Sequence, residues 1–88
     1  MSYEIEWTAS ALRELRKLDK PIARRIVRAV TALSRDPRPA ASRALVGQPA
    51  GVLRIRVGDH RVIYHVDDGV LLVTIVRAAH RREVHRTL

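Results

Sequence analysis

The 88-residue chain has no cysteine and no phenylalanine, and its aromatic residues are one Trp and two Tyr. Without cysteine it has neither a disulfide framework nor a thiolate metal site, which fits a reducing cytoplasm. The N-terminus lacks a basic region followed by an apolar run and so does not resemble a signal peptide. The longest apolar run, Val70 to Val76 with Thr74 interrupting, is too short to span a bilayer. We therefore expect a cytoplasmic protein.

Acidic residues and lysine are also scarce. The chain has nine Asp and Glu against seventeen Lys and Arg, of which two are Lys, and its net charge is +8. A GC-rich genome explains arginine in place of lysine, but it does not explain the surplus of positive charge. Such a surplus favours a polyanionic partner: nucleic acid, an acidic protein segment or an acidic membrane surface.

The N-terminal half has the pattern of one strand followed by two helices. Residues 3–7 alternate apolar side chains with glutamates, which indicates a short strand with one wet face. Thr8 or Ser10 is predicted to cap a first helix whose leucines recur on one stripe. Asp19 is predicted to cap a second helix, with Pro21 in its first turn. The apolar side chains that this helix is expected to bury are Ile22, Ile26, Ala29, Val30 and Leu33.

The C-terminal half has the pattern of three strands in a meander. Residues 36–51 hold three of the four prolines and are predicted to form a surface loop. Strands follow at about 52–57, 60–67 and 70–78, with Asp68-Gly69 as a two-residue hairpin loop between the last two. The chain is thus predicted to be one α+β domain, residues 1–88, in the order β-α-α-β-β-β. Its two antiparallel helices pack on one face of a small, mostly antiparallel sheet. The strand residues expected on that face are Leu53, Ile55, Val62, Tyr64, Val66, Leu71, Val73 and Ile75.

The segment from Leu53 to Tyr64 brings basic residues together on the other face. Gly58-Asp59 is typical of a two-residue hairpin loop, which pairs Val57 with His60 and so places Arg56 opposite Arg61. Opposite residues share a face, and alternation along the strand adds Arg54 to it. Three guanidinium groups placed in this way repel each other unless an anion binds among them. The other residues expected on this face are Ile63, His65, Leu72, Thr74 and Val76.

The basic tail, residues 79–88, is expected to reach the same end of the sheet. RNA carries its own nucleophile, the 2′-hydroxyl. A metal-free ribonuclease needs that hydroxyl in line with the phosphate, cations on the phosphoryl oxygens and proton transfer at each end. Arginine suits the second task because its planar fork binds phosphate bidentately, and histidine suits the third. The predicted site combines Arg54, Arg56 and Arg61 with Arg81 or Arg82 and with His85.

Structural interpretations of the same residues remain open. Arg54 and Arg56 also fit a solvated strand face, and His85 also fits a fraying tail. His80 and His85 have no third ligand nearby, so no metal site is predicted. No glycine-rich phosphate loop or nucleophile motif indicates a cofactor. The residues interpreted as structural are His60 and His65 on the strand surface and Tyr64 in the core.

The order of elements and two motifs resemble the RelE/ParE family of toxins, on the RelE side. The motifs are Leu-Arg-Ile-Arg-Val-Gly-Asp-His-Arg-Val-Ile-Tyr from Leu53 and His-Arg-Arg-Glu-Val-His-Arg from His80. The resemblance covers nearly the whole chain and implies a RelE-like microbial ribonuclease-type fold. It also implies the toxin of a bacterial type II toxin–antitoxin system, a ribosome-dependent mRNA endoribonuclease that cuts translated mRNA in the A site. The expected reaction is attack by the 2′-hydroxyl, which leaves a 2′,3′-cyclic phosphate without a metal or other cofactor.

The resemblance further implies partners and residue roles. The partners are a cognate RelB-like antitoxin, the ribosome with its mRNA and rRNA, and operator DNA only through the toxin–antitoxin complex, with no membrane. The catalytic tyrosine of the family falls at His85, whose imidazole can transfer a proton but offers a smaller stacking surface. The residues assigned to catalysis are Arg54, Arg56, Arg61, Arg81 and His85. Those assigned to RNA or ribosome contacts are Arg82, Arg86, His80 and Arg77.

Two other functions fit the same sequence. ParE toxins share the fold but inhibit DNA gyrase, and they have no need of arginines gathered on the sheet with a histidine in the tail. An inactive module that binds only its antitoxin and operator DNA is the second alternative.

Overall fold

The computed structural model describes residues 2–80 and 82, and this part of the chain forms two helices and five strands. In chain order they are β1 (Glu4–Trp7), α1 (Ala9–Arg16), α2 (Lys20–Leu33), β2 (Arg43–Ala44), β3 (Val52–Val57), β4 (His60–Asp67) and β5 (Leu72–His80). The sheet order is β1-β5-β4-β3-β2, with β1 parallel to β5 and the other neighbouring pairs antiparallel. The predicted α+β fold with a mostly antiparallel sheet is confirmed.

The helix starts follow from local hydrogen bonding and proline geometry. The Thr8 hydroxyl accepts a hydrogen bond of 3.1 Å from the backbone N–H of Ala11, so Thr8 rather than Ser10 caps α1. Asp19 precedes α2 without a side-chain cap bond, and Pro21 lies in the first turn, where its missing N–H costs nothing. Neither described helix is both long and apolar enough to cross a membrane.

The core lies between the helices and one face of the sheet. Ile26, Val30 and Leu33 of α2 are buried there as predicted, while Ile22 and Ala29 are half-buried against them. The buried strand residues on this face are Leu53, Ile55, Val57, Val62, Tyr64, Val66, Val73, Ile75 and Ala78. Burial of this aliphatic surface supplies the main stabilising free energy of the fold.

The turn between β4 and β5 differs from the predicted two-residue hairpin. Asp67 pairs with Leu72, so residues 68–71 form the turn and β5 spans Leu72–His80 rather than 70–78. A type I′ turn needs positive φ at both central residues, but the positive φ here belongs to Leu71, at 53°. Asp67 Oδ1 instead accepts a 2.9 Å hydrogen bond from the Gly69 N–H, an Asx turn. Leu71 consequently lies in the turn and not on the helix-bearing face of the strand.

A β-bulge in β5 sets which residues of its second half face the core. Tyr64 pairs with Ile75, but its neighbour Ile63 pairs with Arg77, so Val76 is the extra residue. The bulge shifts the alternation by one position, and Ala78 is fully buried in the core. Val76, predicted on the opposite face, is the exposed residue at the bulge.

The segment 36–51 contains a short strand that the sequence did not predict. Arg43–Ala44 pair with Arg54 and Leu53 at the edge of the sheet. The segment is tied to the core by Tyr64, a fully buried side chain whose hydroxyl donates a 2.8 Å hydrogen bond to the carbonyl of Pro37. Because Pro37 is buried as well, no solvent replaces this bond.

We expect Tyr64→Phe to lower the free energy of unfolding by about 1–2 kcal/mol, because it leaves the buried Pro37 carbonyl without its donor. Urea denaturation followed by circular dichroism measures the change. Tyr3→Phe is the matched control: it removes a hydroxyl that donates to Asp68 in an exposed setting and should cost less than about 0.5 kcal/mol. Equal losses in the two variants would contradict the structural role given to Tyr64.

Candidate nucleic-acid interface

The β3–β4 hairpin places arginines from two strands side by side. Arg56 pairs with Arg61 and Val57 with His60, as the sequence predicts. Gly58 has a φ of +59°, which suits the first position of a type II′ turn and which glycine adopts without steric cost. Arg54, two residues before Arg56, shares its face by alternation. The two-residue loop therefore gathers three guanidinium groups at one end of the sheet.

A fourth arginine joins this group from β2. Arg43 pairs directly with Arg54, and one of its terminal guanidinium nitrogens donates hydrogen bonds to the carbonyls of Ala40 and Ser42, at 2.9 and 2.8 Å. The sequence does not reveal Arg43 as a member, because a two-residue strand within a proline-rich segment shows no alternation of apolar and polar residues. The four side chains, called the arginine face below, are Arg43, Arg54, Arg56 and Arg61.

Within residues 2–80 and 82, no carboxylate forms an ion pair with the arginine face. The side-chain ion pairs in the described part of the chain are Arg38–Asp68 and Glu14–Arg77, and neither involves the arginine face. Partial burial lowers the pKa of Arg54 from its ordinary value, and the positive charges of Arg56, Arg61 and Arg43 lower it further. The group nevertheless stays protonated at neutral pH. A bound anion would relieve this repulsion.

A small cavity of about 140 Å³ lies at the hairpin end of the arginine face. It is lined by Arg56, Gly58, Asp59, His60 and Arg61. Arg61 Nε is buried, and within residues 2–80 and 82 it has no hydrogen-bond partner. A buried N–H without a partner is energetically unfavourable, and the guanidinium group as a whole is a good donor to phosphoryl oxygens.

The rest of this sheet face is more apolar than predicted. Ile63 and Ala79 are almost fully buried, in a small cluster that also includes Leu45 and Val52. Leu45 belongs to the segment after β2, which folds over the sheet surface here. Ile63 therefore lies on the predicted face, but the segment after β2 covers it, a contact that the sequence did not reveal.

Two histidines lie side by side where β4 begins and β5 ends. His60 pairs with His80, and their rings meet edge to face with centroids 5.5 Å apart. Both are half-buried, so His60 is not the simple strand-surface residue that the sequence indicated. His80 Nδ1 accepts a 3.3 Å hydrogen bond from the backbone N–H of Arg82 and thereby touches the start of the tail. The RNA or ribosome contact assigned to His80 stays a prediction.

The RNA or ribosome contact assigned to Arg77 stays a prediction, and within the fold this side chain has a carboxylate partner. Its guanidinium binds Glu14 through Nε and a terminal nitrogen, at 2.8 to 3.0 Å, and its side chain is only 18% exposed. Glu14 also accepts a 3.1 Å hydrogen bond from the backbone N–H of Ala78, at the edge of β5 that β1 does not cover. Arg77 thus joins α1 to the sheet. The sequence could not reveal this because Glu14 and Arg77 are 63 positions apart.

The tail lies largely outside the described residues. Arg82 is described and is exposed, whereas the predicted site residues Arg81, His85 and Arg86 fall outside the description. Within residues 2–80 and 82, no three His, Asp or Glu side chains are grouped in a way that could hold a metal ion.

Comparison with known families defines the class of this protein. Residues 5–85 match the model of the family described as ParE toxin of type II toxin–antitoxin system, parDE. The chain therefore belongs to the RelE/ParE toxins of type II toxin–antitoxin systems, as its sequence motifs suggested.

Individual relatives place it near the RelE side of that class. Toxin RelG of Mycobacterium tuberculosis is 35% identical over 98% of this chain and 99% of its own length. The toxin–antitoxin complex RelBE2 of the same organism contains a similar fold, with a TM-score of 0.80 and 33% identity over 92% of this chain and 100% of that one. The RelE–RelB complex of the archaeon Pyrococcus horikoshii also gives 0.80, with 27% identity over 92% of this chain and 97% of that one.

We expect Glu14→Gln to lower the free energy of unfolding by about 2 kcal/mol at pH 7, because a neutral amide cannot hold Arg77 with charge-assisted bonds. Burial tends to raise the pKa of Glu14, but the bonds from Arg77 and Ala78 outweigh it and leave that pKa below the ordinary value of about 4.5. The stabilisation is therefore complete above the unfolded-state pKa and is lost as pH falls through the folded-state pKa.

Chemical denaturation of both proteins between neutral and acidic pH measures this difference. The stability gap between wild type and Glu14→Gln should close on the acid side of the unfolded-state pKa. A gap that stays constant with pH would show that the carboxylate charge of Glu14 is not responsible. Arg77→Met in a double-mutant cycle reports the coupling between the two side chains directly.

Proposed function

We propose that this toxin is a ribosome-dependent mRNA endoribonuclease that cuts translated mRNA in the A site and so inhibits translation. The observation that carries the proposal is the arginine face, four guanidinium groups without a carboxylate partner in the described part of the chain. Such a surface has a strong electrostatic preference for a polyanion. A toxin that acts on ribosomes works in the cytoplasm, which is the location we propose.

The proposed chemistry uses the 2′-hydroxyl of the mRNA as nucleophile and needs no metal ion. Arg54, Arg56 and Arg61 hold the scissile phosphate and stabilise the charge that grows on its oxygens in the transition state. Arg43 extends the positive surface toward the neighbouring phosphate. Attack forms the new bond from the 2′-oxygen to phosphorus, the bond to the 5′-oxygen breaks, and a 2′,3′-cyclic phosphate remains.

Proton transfer is assigned to the tail. By resemblance to the family, His85 serves the proton transfer, in which the attacking 2′-hydroxyl loses a proton and the departing 5′-oxygen gains one. Arg81 adds a further cation, and Arg82 and Arg86 contact RNA or the ribosome. An imidazole has an unperturbed pKa of about 6.5, so it exchanges protons readily at neutral pH. The residue types of the tail and the resemblance to the family both support these assignments.

The partner that we propose for control is a RelB-like antitoxin. The solved relatives from M. tuberculosis and P. horikoshii are complexes of a RelE-type toxin with its antitoxin. An excess positive charge of +8 favours an acidic partner segment. Contact with operator DNA is proposed only through the complex.

Gyrase inhibition is the second candidate function, because the matching family is described by its ParE members. It makes no use of the unpaired arginines, which is why the ribonuclease is preferred. An inactive antitoxin-binding module makes no use of them either.

One pair of assays separates these functions. Purified toxin is added to ribosomes programmed with a defined mRNA, and cuts are mapped by primer extension. The same toxin is added to DNA gyrase with relaxed plasmid, and supercoiling is measured. A-site cuts with normal supercoiling are expected. Inhibited supercoiling without A-site cuts would favour gyrase inhibition over the ribonuclease. If neither A-site cuts nor inhibited supercoiling is observed, the inactive antitoxin-binding module is favoured.

We expect Arg61→Ala to slow A-site cleavage by at least about 100-fold, the usual cost of removing one group that stabilises transition-state charge. Single-turnover cleavage on programmed ribosomes gives the rate, and circular dichroism shows whether the variant is folded. Arg24→Ala removes the same charge from the exposed surface of α2 and is expected to cleave at the wild-type rate. A normal rate for Arg61→Ala would mean that the arginine face is not the active site.

Arg43→Ala tests the residue that only the structure revealed. We expect weaker binding of an uncleavable 2′-deoxy RNA analogue, uniformly across sequences, because Arg43 contributes charge rather than base readout. The slope of log affinity against log salt, between about 50 and 200 mM, should fall by roughly 0.7 to 1. Fluorescence anisotropy gives both quantities, with Arg24→Ala as the charge-matched control. An unchanged slope would remove Arg43 from the interface.

A further inference from the structure

A cleft lies between the start of α2 and the tip of the β3–β4 hairpin. Its volume is about 400 Å³, a size typical of sites that hold a small molecule. The smaller cavity of about 140 Å³ beside Arg56 and Arg61 shares lining residues with it, so a ligand can extend from one into the other. The lining residues of the larger space, called the hairpin cleft below, are Pro21, Ile22 and Arg25 of α2, Gly58, Asp59 and His60 of the hairpin, and Asp19.

Arg25 places a cation at this cleft on the helix side of the hairpin. A Cβ atom at Gly58 would lie 3.5 Å from a terminal guanidinium nitrogen of Arg25 and 3.9 Å from Cδ1 of Ile22. The glycine therefore lets α2 and its guanidinium group lie directly against the loop. Arg25 is exposed, and no carboxylate of residues 2–80 and 82 forms an ion pair with it. Its charge is thus available to an anionic ligand.

Asp59 is a carboxylate that lies between two groups of cations. It lines both cavities, with Arg25 in the larger one and with Arg56 and Arg61 in the smaller one. None of these arginines forms an ion pair with it in the described part of the chain. An ionised carboxylate only accepts hydrogen bonds, and Asp59 is exposed. Its oxygens can therefore accept N–H groups from a ligand.

We propose that the hairpin cleft binds a nucleotide that flanks the scissile phosphate and that Asp59 selects the base of that nucleotide. This role rests on the proposed ribonuclease function and adds a specificity-determining residue to it. The scissile phosphate lies in the smaller cavity with Arg56 and Arg61. The neighbouring base enters the cleft and packs on the apolar side chains from α2, and Arg25 binds the phosphate on the far side of that nucleotide.

The acceptor chemistry of Asp59 predicts which bases the cleft prefers. Adenine, cytosine and guanine each carry an exocyclic amino group, which can donate to a carboxylate. Uracil instead presents carbonyl oxygens on both sides of its single N–H, and these oxygens repel a carboxylate. The bases of single-stranded RNA are unstacked and expose these edges to side chains. We therefore expect a base with an amino group at this position, with uracil disfavoured.

A metal ion is a less suitable ligand for the same cleft. Asp19, Asp59 and His60 are residue types that bind metals. Within residues 2–80 and 82, however, no three such side chains are grouped closely enough to hold an ion. The guanidinium group of Arg25 also repels a cation from the cleft. The side chains present therefore favour a nucleotide, which offers both an anionic phosphate and N–H donors.

The variant Asp59→Asn tests the selection of the base. An amide group both donates and accepts hydrogen bonds, so it can pair with uracil as well, and asparagine suits a tight turn. The probes are short RNA oligonucleotides with a 2′-deoxy nucleotide at the cleavage position, and they differ in one flanking base at a time. Fluorescence anisotropy gives their affinities for the full chain.

We expect the wild-type chain to bind probes with an amino-bearing base at least about fivefold tighter than the uracil probe, at one flanking position. Asp59→Asn should abolish or reverse this preference. Glu4→Gln removes an exposed carboxylate from β1, away from the cleft, and should keep it. Equal affinity of the wild type for all probes, or the same preference in Asp59→Asn, would overturn the selection of the base by Asp59.

The variant Arg25→Ala tests the phosphate contact. Loss of one cation should weaken the binding of every probe equally and reduce the slope of log affinity against log salt by about 0.7. Arg24→Ala is the matched control, because the adjacent Arg24 lines a different surface of α2, with Lys20 and Arg28. It should keep the wild-type slope. The same slope in both variants would overturn the role of Arg25.

The cleft and the ribonuclease fail in distinguishable ways. A-site cleavage that shows the same base preference in wild type and Asp59→Asn overturns the cleft and leaves the ribonuclease intact. A base preference in binding that Asp59→Asn removes, without A-site cleavage on ribosomes, supports the cleft as a nucleotide site and overturns the ribonuclease.

Discussion

The register of the β3–β4 hairpin is the constraint on which both the core and the candidate site depend. Because Gly58 and Asp59 alone form the loop, Val57 must pair with His60 and Arg56 with Arg61. A slip of one residue would turn the arginines into the core and the aliphatic side chains into solvent. Burial of Ile55 and Val62 on one face therefore fixes the arginines on the other.

Concentrating positive charge on one sheet face destabilises the folded state by repulsion, and interactions elsewhere in the fold offset this destabilisation. The described carboxylates that form ion pairs, Glu14 and Asp68, both serve the framework: Glu14 joins α1 to β5, and Asp68 joins the β4–β5 turn to Arg38 and Tyr3. Neither of these carboxylates pairs with the arginine face. Burial of the aliphatic core stabilises the chain. The repulsion among the arginines persists in the free protein and would be relieved by a bound polyanion.

The predictable parts of the structure are those that depend on short-range periodicity. Alternation in 52–57 and 60–67 predicted both strands with their bounds, and the helical spacing predicted the buried stripe of α2. The β4–β5 turn was predicted wrongly, because Asp67 forms an Asx turn that competes with the two-residue hairpin. The bulge at Val76 was not predicted, since one extra residue leaves no mark on the pattern.

The sequence by itself determined the α+β class, the hairpin register and three arginines of the candidate site, because alternation and loop length act between near neighbours. Only the tertiary structure decided that Arg43 joins those arginines and that Arg77 binds Glu14. These outcomes depend on contacts between residues far apart in the chain, where position is set by the packing of helices on the sheet and by no local pattern.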